Sequence, residues 1–294
     1  MARLKFKTEN FKIGGRKTLD SVPTNIPDLY RSNSESLEIL KHLQSQISDY
    51  QERLFADQRQ SLLIILQGMD AAGKDGLIKH VMTGINPQGV SISSFKSPST
   101  NELSHDFLWR THHEVPPAGK IGIFNRSYYE EVIVTRVHPE LLRLQQRTEV
   151  SPTRHKFWAL RMEDIAHHEE YLERQGTRIL KIFLNLSKAT QKQRLLERIE
   201  NPAKHWKFEP SDVEERAYWT KYHRAYSECL QATSTRLNPW FALPADNKTN
   251  TRLMASQLIL ETMESMEIRP LRASQKKLRA IKKAKKILLK ERSS

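Results

Sequence analysis

Five short apolar runs alternate along the chain with longer segments of helical periodicity. The first run, SLLIILQ at 61–67, is aliphatic and stops at Gly68, which is typical of a strand buried in a parallel sheet. Further strands are predicted at 89–96, 120–124, 178–185 and 239–244, and helices at 74–83, 102–113, 127–136, 154–174, 188–200, 212–231 and 250–267. This alternation predicts an α/β fold with a central parallel sheet covered by helices on both faces.

The segments that flank this alternation differ from it in character. Residues 34–58 have the apolar spacing of a long amphipathic helix, and the residues before them, with Gly14-Gly15 and two prolines, have the composition of an extended arm. No linker divides the chain between 34 and 267. We therefore predict an N-terminal arm over 1–33, one domain over 34–268 and a tail over 269–294.

The tail concentrates the positive charge of the protein. It holds eleven Lys and Arg residues against one acid, Glu291, and so carries ten of the fourteen net positive charges. Its apolar residues recur every three positions, which predicts a basic amphipathic helix: Leu278, Ile281, Ala284 and Ile287. Such a helix is either a solvated end lying on the body of the protein or a contact for a polyanion or an anionic surface.

Composition excludes several classes of protein. The 294 residues are 38% hydrophobic, which is enough to fill a core. One cysteine, Cys229, excludes an internal disulfide framework and a cysteine-based zinc site. The longest aliphatic run, 62–66, is far shorter than the roughly 20 apolar residues of a membrane span, and the first twenty residues lack the apolar core of a signal peptide. We expect a soluble, cytoplasmic protein without a membrane partner.

A glycine-rich loop follows the first strand and opens a helix. Residues 68–75, GMDAAGKD, fit the pattern G-x-x-x-x-G-K of a phosphate-binding loop. The backbone N–H groups of such a loop surround phosphate oxygens, the helix N-terminus adds partial positive charge, and Lys74 supplies a full one. The predicted phosphate-binding residues of the loop are Gly68, Met69, Ala71, Ala72, Gly73, Lys74 and Asp75.

Two acids depart from the usual form of this loop. Asp75 stands where a Ser or Thr hydroxyl usually binds magnesium, and the sequence favours helix capping for it. Asp70 puts a carboxylate inside an anion site, which is costly unless a cation bridges it. We therefore expect Asp70 to bind magnesium or to orient an attacking phosphate oxygen.

A second polar pair ends the third predicted strand. Asn125 and Arg126 follow the apolar run GIF, and the carboxyl ends of strands form the sites of open α/β sheets. A residue at position 125 would hold a metal or its water, and Arg126 would neutralise charge on a transferred phosphoryl group. The alternative is an asparagine turn followed by a surface arginine.

A basic helix and an exposed segment follow the fourth strand. Arg194 and Arg198 are four residues apart and share a helix face, and Pro202 ends that helix. The basic and aromatic segment beyond, with Lys204 and Lys207, would suit a lid over phosphates at about 198–212. The alternative is a solvated face whose arginines pair with Glu197 and Glu200.

These motifs, in this order, resemble those of the family-2 polyphosphate kinases over roughly residues 20–267. The shared elements are GMDAAGKDG, the segment 85–89, FLWR at 107–110, IFNRSYYE, NPAKHWKF and the strand end 244–246. The resemblance implies a three-layer P-loop kinase fold like that of thymidylate kinase, with a helical lid. It assigns catalysis to Asp70, Lys74, Asn125 and Arg126, and phosphate binding to the loop, the lid lysines and the helix that bears Arg194 and Arg198, without saying which of these two arginines is essential.

The same resemblance implies a reaction and its partners. Phosphoryl groups would pass in line, with no covalent intermediate, from inorganic polyphosphate to nucleotides, with Mg²⁺ or Mn²⁺ at Asp70 and Asn125. Asn125 in place of Asp resembles the subgroup called class III, which accepts both AMP and ADP and yields ATP. We also expect a homo-oligomer. The alternatives are an ATP-dependent nucleoside or nucleotide kinase of the same fold, against which Asp75 argues, and a basic nucleic-acid-binding protein, which would leave the loop unexplained.

Overall fold

The computed structural model describes residues 6–145, 156–269, 273 and 275–291. Five strands form one parallel sheet in the order β2-β3-β1-β4-β5. The strands are β1 (Ser61–Gly68), β2 (Val90–Ser94), β3 (Ile121–Asn125), β4 (Thr177–Asn185) and β5 (Trp240–Pro244). All five strands predicted from the apolar runs are confirmed.

The helices cover the sheet in two groups. Helices α1, α2 and α10 pack together as one group, and α5, α6 and α9 form a second group. Every residue of the central strand β1 is buried. This is the expected α/β fold of three layers. The helices are α1 (Asn33–Asp57), α2 (Lys74–Val81), α3 (Thr100–Ser104), α4 (Trp109–His112), α5 (Glu130–Val137), α6 (Phe157–Arg174), α7 (Lys188–Glu200), α8 (Ser211–Glu215), α9 (Trp219–Thr233), α10 (Lys248–Ser265) and α11 (Gln275–Leu288).

Two predicted helices are each divided. The segment 102–113 forms α3 and α4, because His105 adopts an extended conformation that ends the first helix. The segment 212–231 forms α8, a 3₁₀ turn at Arg216–Tyr218 and α9. The first residues of the helix predicted at 154–174 lie outside the described residues.

The described N-terminal residues pack along the sheet edge formed by β5. Lys12 pairs with Phe241 in an antiparallel bridge, and the Ile13 N–H donates to the Trp240 carbonyl at 2.8 Å. Phe11 and Leu19 are buried in the same core. This segment therefore contributes to the core beside the last strand.

A fully buried ion pair lies between β4 and α6. Lys181 Nζ donates to Glu169 Oε2 at 2.6 Å, and both side chains are completely enclosed. The Tyr128 and Tyr129 hydroxyls donate to Glu169 Oε1 at 2.9 and 2.7 Å. Because the two tyrosines lie two and three positions after Arg126, this network anchors the chain just beyond the end of β3.

The basic tail forms the predicted amphipathic helix, α11. Its described residues are exposed, and the apolar side chains Ile281 and Ile287 remain 48% and 54% accessible. No helix of the described residues has the length and apolar character needed to cross a membrane.

Candidate active site

The glycine-rich loop connects the carboxyl end of β1 to the first turn of α2. Gly73 has φ 105°, and Gly68 has φ 154°. A Cβ added at Gly68 would lie only 3.1 Å from the carbonyl oxygen of Leu184. Ala71, with φ 60°, adopts the left-handed conformation that is rare for residues with a side chain. The loop therefore contains backbone dihedral angles that residues with a side chain rarely adopt, and such angles are found at many ligand sites.

Lys74 directs its ammonium group back over the loop. Nζ donates to the Gly68 carbonyl at 2.7 Å and to the Met69 carbonyl at 3.4 Å. Burial lowers the pKa of Lys74, the nearby Arg126 lowers it further, and Asp70 and Glu130 oppose the shift. A phosphate in the loop would favour the charged form by adding negative charge beside it.

Asp70 and Arg126 form an ion pair across the ends of β1 and β3. Arg126 donates to Asp70 Oδ1 at 2.9 Å, and its other terminal nitrogen lies 3.8 Å from Glu130. Arg126 has φ 65°, and its N–H donates to the Leu66 carbonyl at 3.0 Å. Glu130 is the largest of the influences that raise the pKa of Arg126. Two of the four predicted catalytic residues, Asp70 and Arg126, are thus in contact.

Asn125 lies at the end of β3 and contacts α2. Its Nδ2 donates to Asp75 Oδ1 at 2.7 Å, and its buried Oδ1 has no hydrogen-bond partner among the described residues. The helix-capping role expected of Asp75 is wrong, because Gly73 is the N-cap residue of α2 and Asp75 lies within the first turn. Asp75 instead orients the Asn125 amide by accepting a hydrogen bond from its Nδ2. The Oδ1 atom of Asn125 therefore remains available to a hydrogen-bond donor or a metal ion.

Arg194 is buried between the loop and the end of β5. One terminal nitrogen donates to the carbonyls of Ala71 and Ala72 at 3.0 and 2.9 Å, and the other to those of Ala245 and Asp246 at 2.6 and 3.1 Å. Desolvation lowers its pKa. Its terminal donors are occupied by backbone, so in this structure Arg194 contacts the loop rather than facing a phosphate.

Arg198 has a different environment on the same helix. It donates to Asp212 Oδ2 at 3.0 Å, and burial together with the nearby Asp70 raises the pKa of that carboxyl. Further along the segment, Lys204 lies 3.7 Å from Glu197, and Lys207 lies over the Trp206 ring. The predicted lid residues therefore contact α7 through Arg198 and Glu197.

Carboxylates as well as cations surround the loop. Four carboxylates and four cations lie around the loop in the described structure: Asp70, Asp75, Glu130 and Asp212, with Lys74, Arg126, Arg194 and Arg198. No group of three or more His, Cys, Asp or Glu side chains among the described residues is arranged to hold a metal by itself. Mg²⁺ needs only one or two protein oxygens when phosphates and water supply the rest, so the Asp70 carboxylate and the free Asn125 oxygen fit such an ion.

Several residues that contact the site were missed by sequence reasoning. Glu130 pairs with Arg126, and its spacing of four residues from that arginine was the available signal. Gln191 donates to the Asp70 carbonyl at 2.9 Å and accepts from Arg216 at 2.6 Å. Tyr226 is buried within 3.5 Å of Gln67 on β1. A single Gln, Arg or Tyr on a helix gives no sequence signal for such contacts.

Comparisons with known proteins agree with the resemblance. The family model described as Polyphosphate kinase 2 matches residues 30–270. An ADP-polyphosphate phosphotransferase of Rhodopseudomonas palustris is 48% identical over 267 residues, or 90% of this chain and 92% of the relative. An AMP/ADP-polyphosphate phosphotransferase of Meiothermus ruber is 42% identical over 231 residues, or 79% and 82% of the two chains. The crystal structure of polyphosphate kinase 2 from Arthrobacter aurescens superposes with a TM-score of 0.85 at 34% identity and covers 96% of this chain and 99% of that one.

Proposed function

The chain belongs to the polyphosphate kinase 2 family, and on that premise we propose that it transfers phosphoryl groups from inorganic polyphosphate to AMP and ADP. One observation carries the proposal: Lys74 in its glycine-rich loop lies beside the Asp70–Arg126 pair at the carboxyl ends of neighbouring strands. This arrangement combines an anion cradle with an arginine that can neutralise a transferred phosphoryl group.

Each residue has a distinct task in the proposed transfer. The loop amides and Lys74 hold phosphates of the polyphosphate chain, and Arg126 stabilises negative charge on the group in transit. Asp70 keeps Arg126 in place through their 2.9 Å contact and orients the acceptor phosphate. Since positioning and electrostatics suffice for in-line transfer, no covalent intermediate on the protein is required.

A divalent metal, Mg²⁺ or Mn²⁺, would be held by Asp70 and Asn125 together with the substrate phosphates. Such an ion would supply positive charge beside the phosphates and so lower the repulsion between them and the Asp70 carboxylate. Arg198, Lys204 and Lys207 add cations on the lid side, where the Arg198–Asp212 pair must yield if Arg198 is to contact a phosphate. Arg194 is assigned to the loop instead.

Asn125 sets the acceptor range in this proposal. A neutral amide leaves less negative charge near the acceptor than Asp would, so the site tolerates the single phosphate of AMP and the two phosphates of ADP. The relatives named above act on ADP or on both AMP and ADP, which supports a nucleotide acceptor. We propose two successive transfers at one site, from AMP to ADP and from ADP to ATP.

The test uses purified protein, polyphosphate, Mg²⁺ and AMP, with no ATP added. We expect ADP to rise first and ATP to follow, and no product with Lys74→Ala. If ADP accumulates without ATP while polyphosphate remains in excess, the two-step assignment fails and single transfer survives. If nucleotides are phosphorylated only when ATP is supplied, the ATP-dependent kinase replaces the proposal.

The predicted homo-oligomer and cytoplasmic location stay predictions. Light scattering coupled to gel filtration tests the first, and fractionation of the source cells tests the second. A monomer at every concentration would overturn the expected assembly without affecting the transfer reaction.

A further inference from the structure

We propose that Gln191 and Arg194 are positioning residues that hold the phosphate loop in the conformation that presents its N–H groups to a phosphate. We also propose that Gln191 couples this loop to the lid through Arg216. The inference deepens the proposed function and rests on it for the identity of the phosphate ligand. The lid segment is residues 198–212, and Arg216 lies four positions beyond its end, immediately after α8.

Three consecutive carbonyls of the loop are held from one side by α7. Gln191 Nε2 donates to the Asp70 carbonyl at 2.9 Å, and Arg194 donates to the next two carbonyls, of Ala71 and Ala72, at 3.0 and 2.9 Å. Both side chains are buried, at 4% and 6% exposure. A solvated helix face would not direct two buried polar side chains to adjacent carbonyls.

The direction of these carbonyls fixes the direction of the amides. In a trans peptide the C=O and the following N–H point to opposite sides. Drawing the carbonyls of Asp70 and Ala72 toward α7 therefore turns the N–H groups of Ala71 and Gly73 away from it. Neither N–H donates to any group among the described residues. Those two amides are donors left for a phosphate.

The same contacts maintain an unfavourable backbone. Ala71 has φ 60°, a conformation that costs an ordinary residue roughly 1–2 kcal/mol. Its carbonyl and that of the preceding residue are both fixed by α7, which opposes relaxation to the usual right-handed region. Arg194 also binds the carbonyls of Ala245 and Asp246, so the loop is tied to the end of β5.

The side-chain oxygen of Gln191 contacts Arg216, just beyond the lid segment. Oε1 accepts from Arg216 at 2.6 Å, and the same arginine nitrogen donates to the Lys188 carbonyl at 3.2 Å. Arg198, two turns along α7, donates to Asp212 of the lid segment. A displacement of the lid that moves Arg216 therefore changes the restraint on the Asp70 carbonyl through one glutamine.

Two substitutions separate the two halves of this connection. Gln191→Glu keeps an acceptor for Arg216 but loses the donor to the Asp70 carbonyl, whereas Arg216→Gln removes the lid contact and leaves Gln191 in place. We expect Gln191→Glu to lower kcat/KM for polyphosphate by at least roughly 3- to 10-fold, the effect of one lost hydrogen bond, because the new carboxylate also repels the Asp70 carbonyl, and we expect Arg216→Gln to lower it less. With Gln191→Leu, the further effect of Arg216→Gln should vanish, because the link is already broken.

A matched control identifies a merely structural role. Gln257 is also a buried glutamine, but it bonds to Glu261 within α10, and Gln257→Leu should lower thermal stability without changing kcat/KM. If Gln191→Leu behaves like Gln257→Leu in both measurements, the positioning role is overturned. Additive effects of Arg216→Gln and Gln191→Leu would overturn the coupling to the lid.

Hydrogen exchange of the loop amides gives a readout that needs no activity. We expect peptides covering 68–77 to exchange faster in Gln191→Leu and in Arg194→Met than in the unaltered protein or in Gln257→Leu. Arg194→Lys should restore slow exchange only in part, since one ammonium group cannot contact the loop carbonyls and the carbonyls after β5 at once, as the guanidinium does. Unchanged exchange would overturn the inference even if the unaltered protein were inactive with polyphosphate, an outcome that would instead refute the proposed function.

Discussion

Replacing Asp70 by Asn should separate catalysis from stability in this protein. The substitution keeps the shape of the side chain and removes its negative charge at the contact with Arg126, 2.9 Å away. The two side chains are 32% and 41% exposed, so solvent screens the pair and its loss should cost at most about 1 kcal/mol of unfolding free energy. Arg126 also keeps its neighbour Glu130.

The expected effect on the reaction is much larger. Removal of one preorganised electrostatic contact with the transition state typically lowers kcat by about 100- to 1,000-fold, or about 2.7–4 kcal/mol. Asp70 acts on the reaction by holding Arg126 and, as proposed, by binding the metal with Asn125. We therefore expect Asp70→Asn to be folded and nearly as stable as the unaltered protein, with kcat reduced to this extent.

A second aspartate–arginine pair provides the control. Asp57 and Arg59 also lie 2.9 Å apart, at the end of α1 that precedes β1 and hence at the opposite end of that strand from Asp70. Asp57→Asn should lower stability at least as much, because that carboxylate is less exposed and also accepts from the Arg269 N–H. Its kcat should not change.

The assay combines ATP formation from ADP and polyphosphate with urea unfolding followed by circular dichroism. Near-normal kcat in a folded Asp70→Asn protein would refute the role assigned to that carboxylate. A loss of kcat in Asp57→Asn as large as that in Asp70→Asn would show that the rate merely follows stability.

Three other perturbations test the buried ion pair, the histidine beside it and the basic tail. Glu169→Gln removes the carboxylate partner of buried Lys181, so the free energy of unfolding should fall by about 3–5 kcal/mol while kcat of the folded protein is retained; an unchanged urea midpoint would contradict this. Burial lowers the pKa of His168 from its ordinary value of 6.5 to about 4. Between these two pH values the histidine is protonated in the unfolded chain but not in the folded protein, so stability should fall as the pH drops from about 6.5 to 4. His168→Leu should flatten that part of the pH–stability curve, and an unaltered slope would exclude this histidine as the cause. Deleting 271–294 should raise KM for long polyphosphate most at low salt and leave kcat and short chains unaffected, because the basic tail would act by screened attraction; no change at any ionic strength would mean that the tail does not capture substrate.

The sequence alone determined the local elements and the position of the chemistry. The aliphatic run that stops at Gly68 predicted the central strand β1, because a strand buried on both faces is apolar along its whole length. The more polar run at 89–96 predicted β2, which is only partly buried. The loop pattern placed Lys74 at the start of a helix, and the strand-end rule placed Asn125 and Arg126 beside the loop. These features depend on spacing within a few residues, which a single sequence records.

Only the tertiary structure decided which partner each polar side chain has. Arg194 and Arg198 are equivalent in the sequence, four residues apart on one helix face, yet the first is buried against loop carbonyls and the second pairs with Asp212. Asp75 looked like a helix cap and instead orients Asn125, fifty positions away. The physical reason is that β1 lies between β3 and β4, so the strand order brings segments that are distant in sequence together at the carboxyl ends of these strands. Hydrogen bonds and burial there depend on distances between these segments, which the spacing of residues along the chain does not specify.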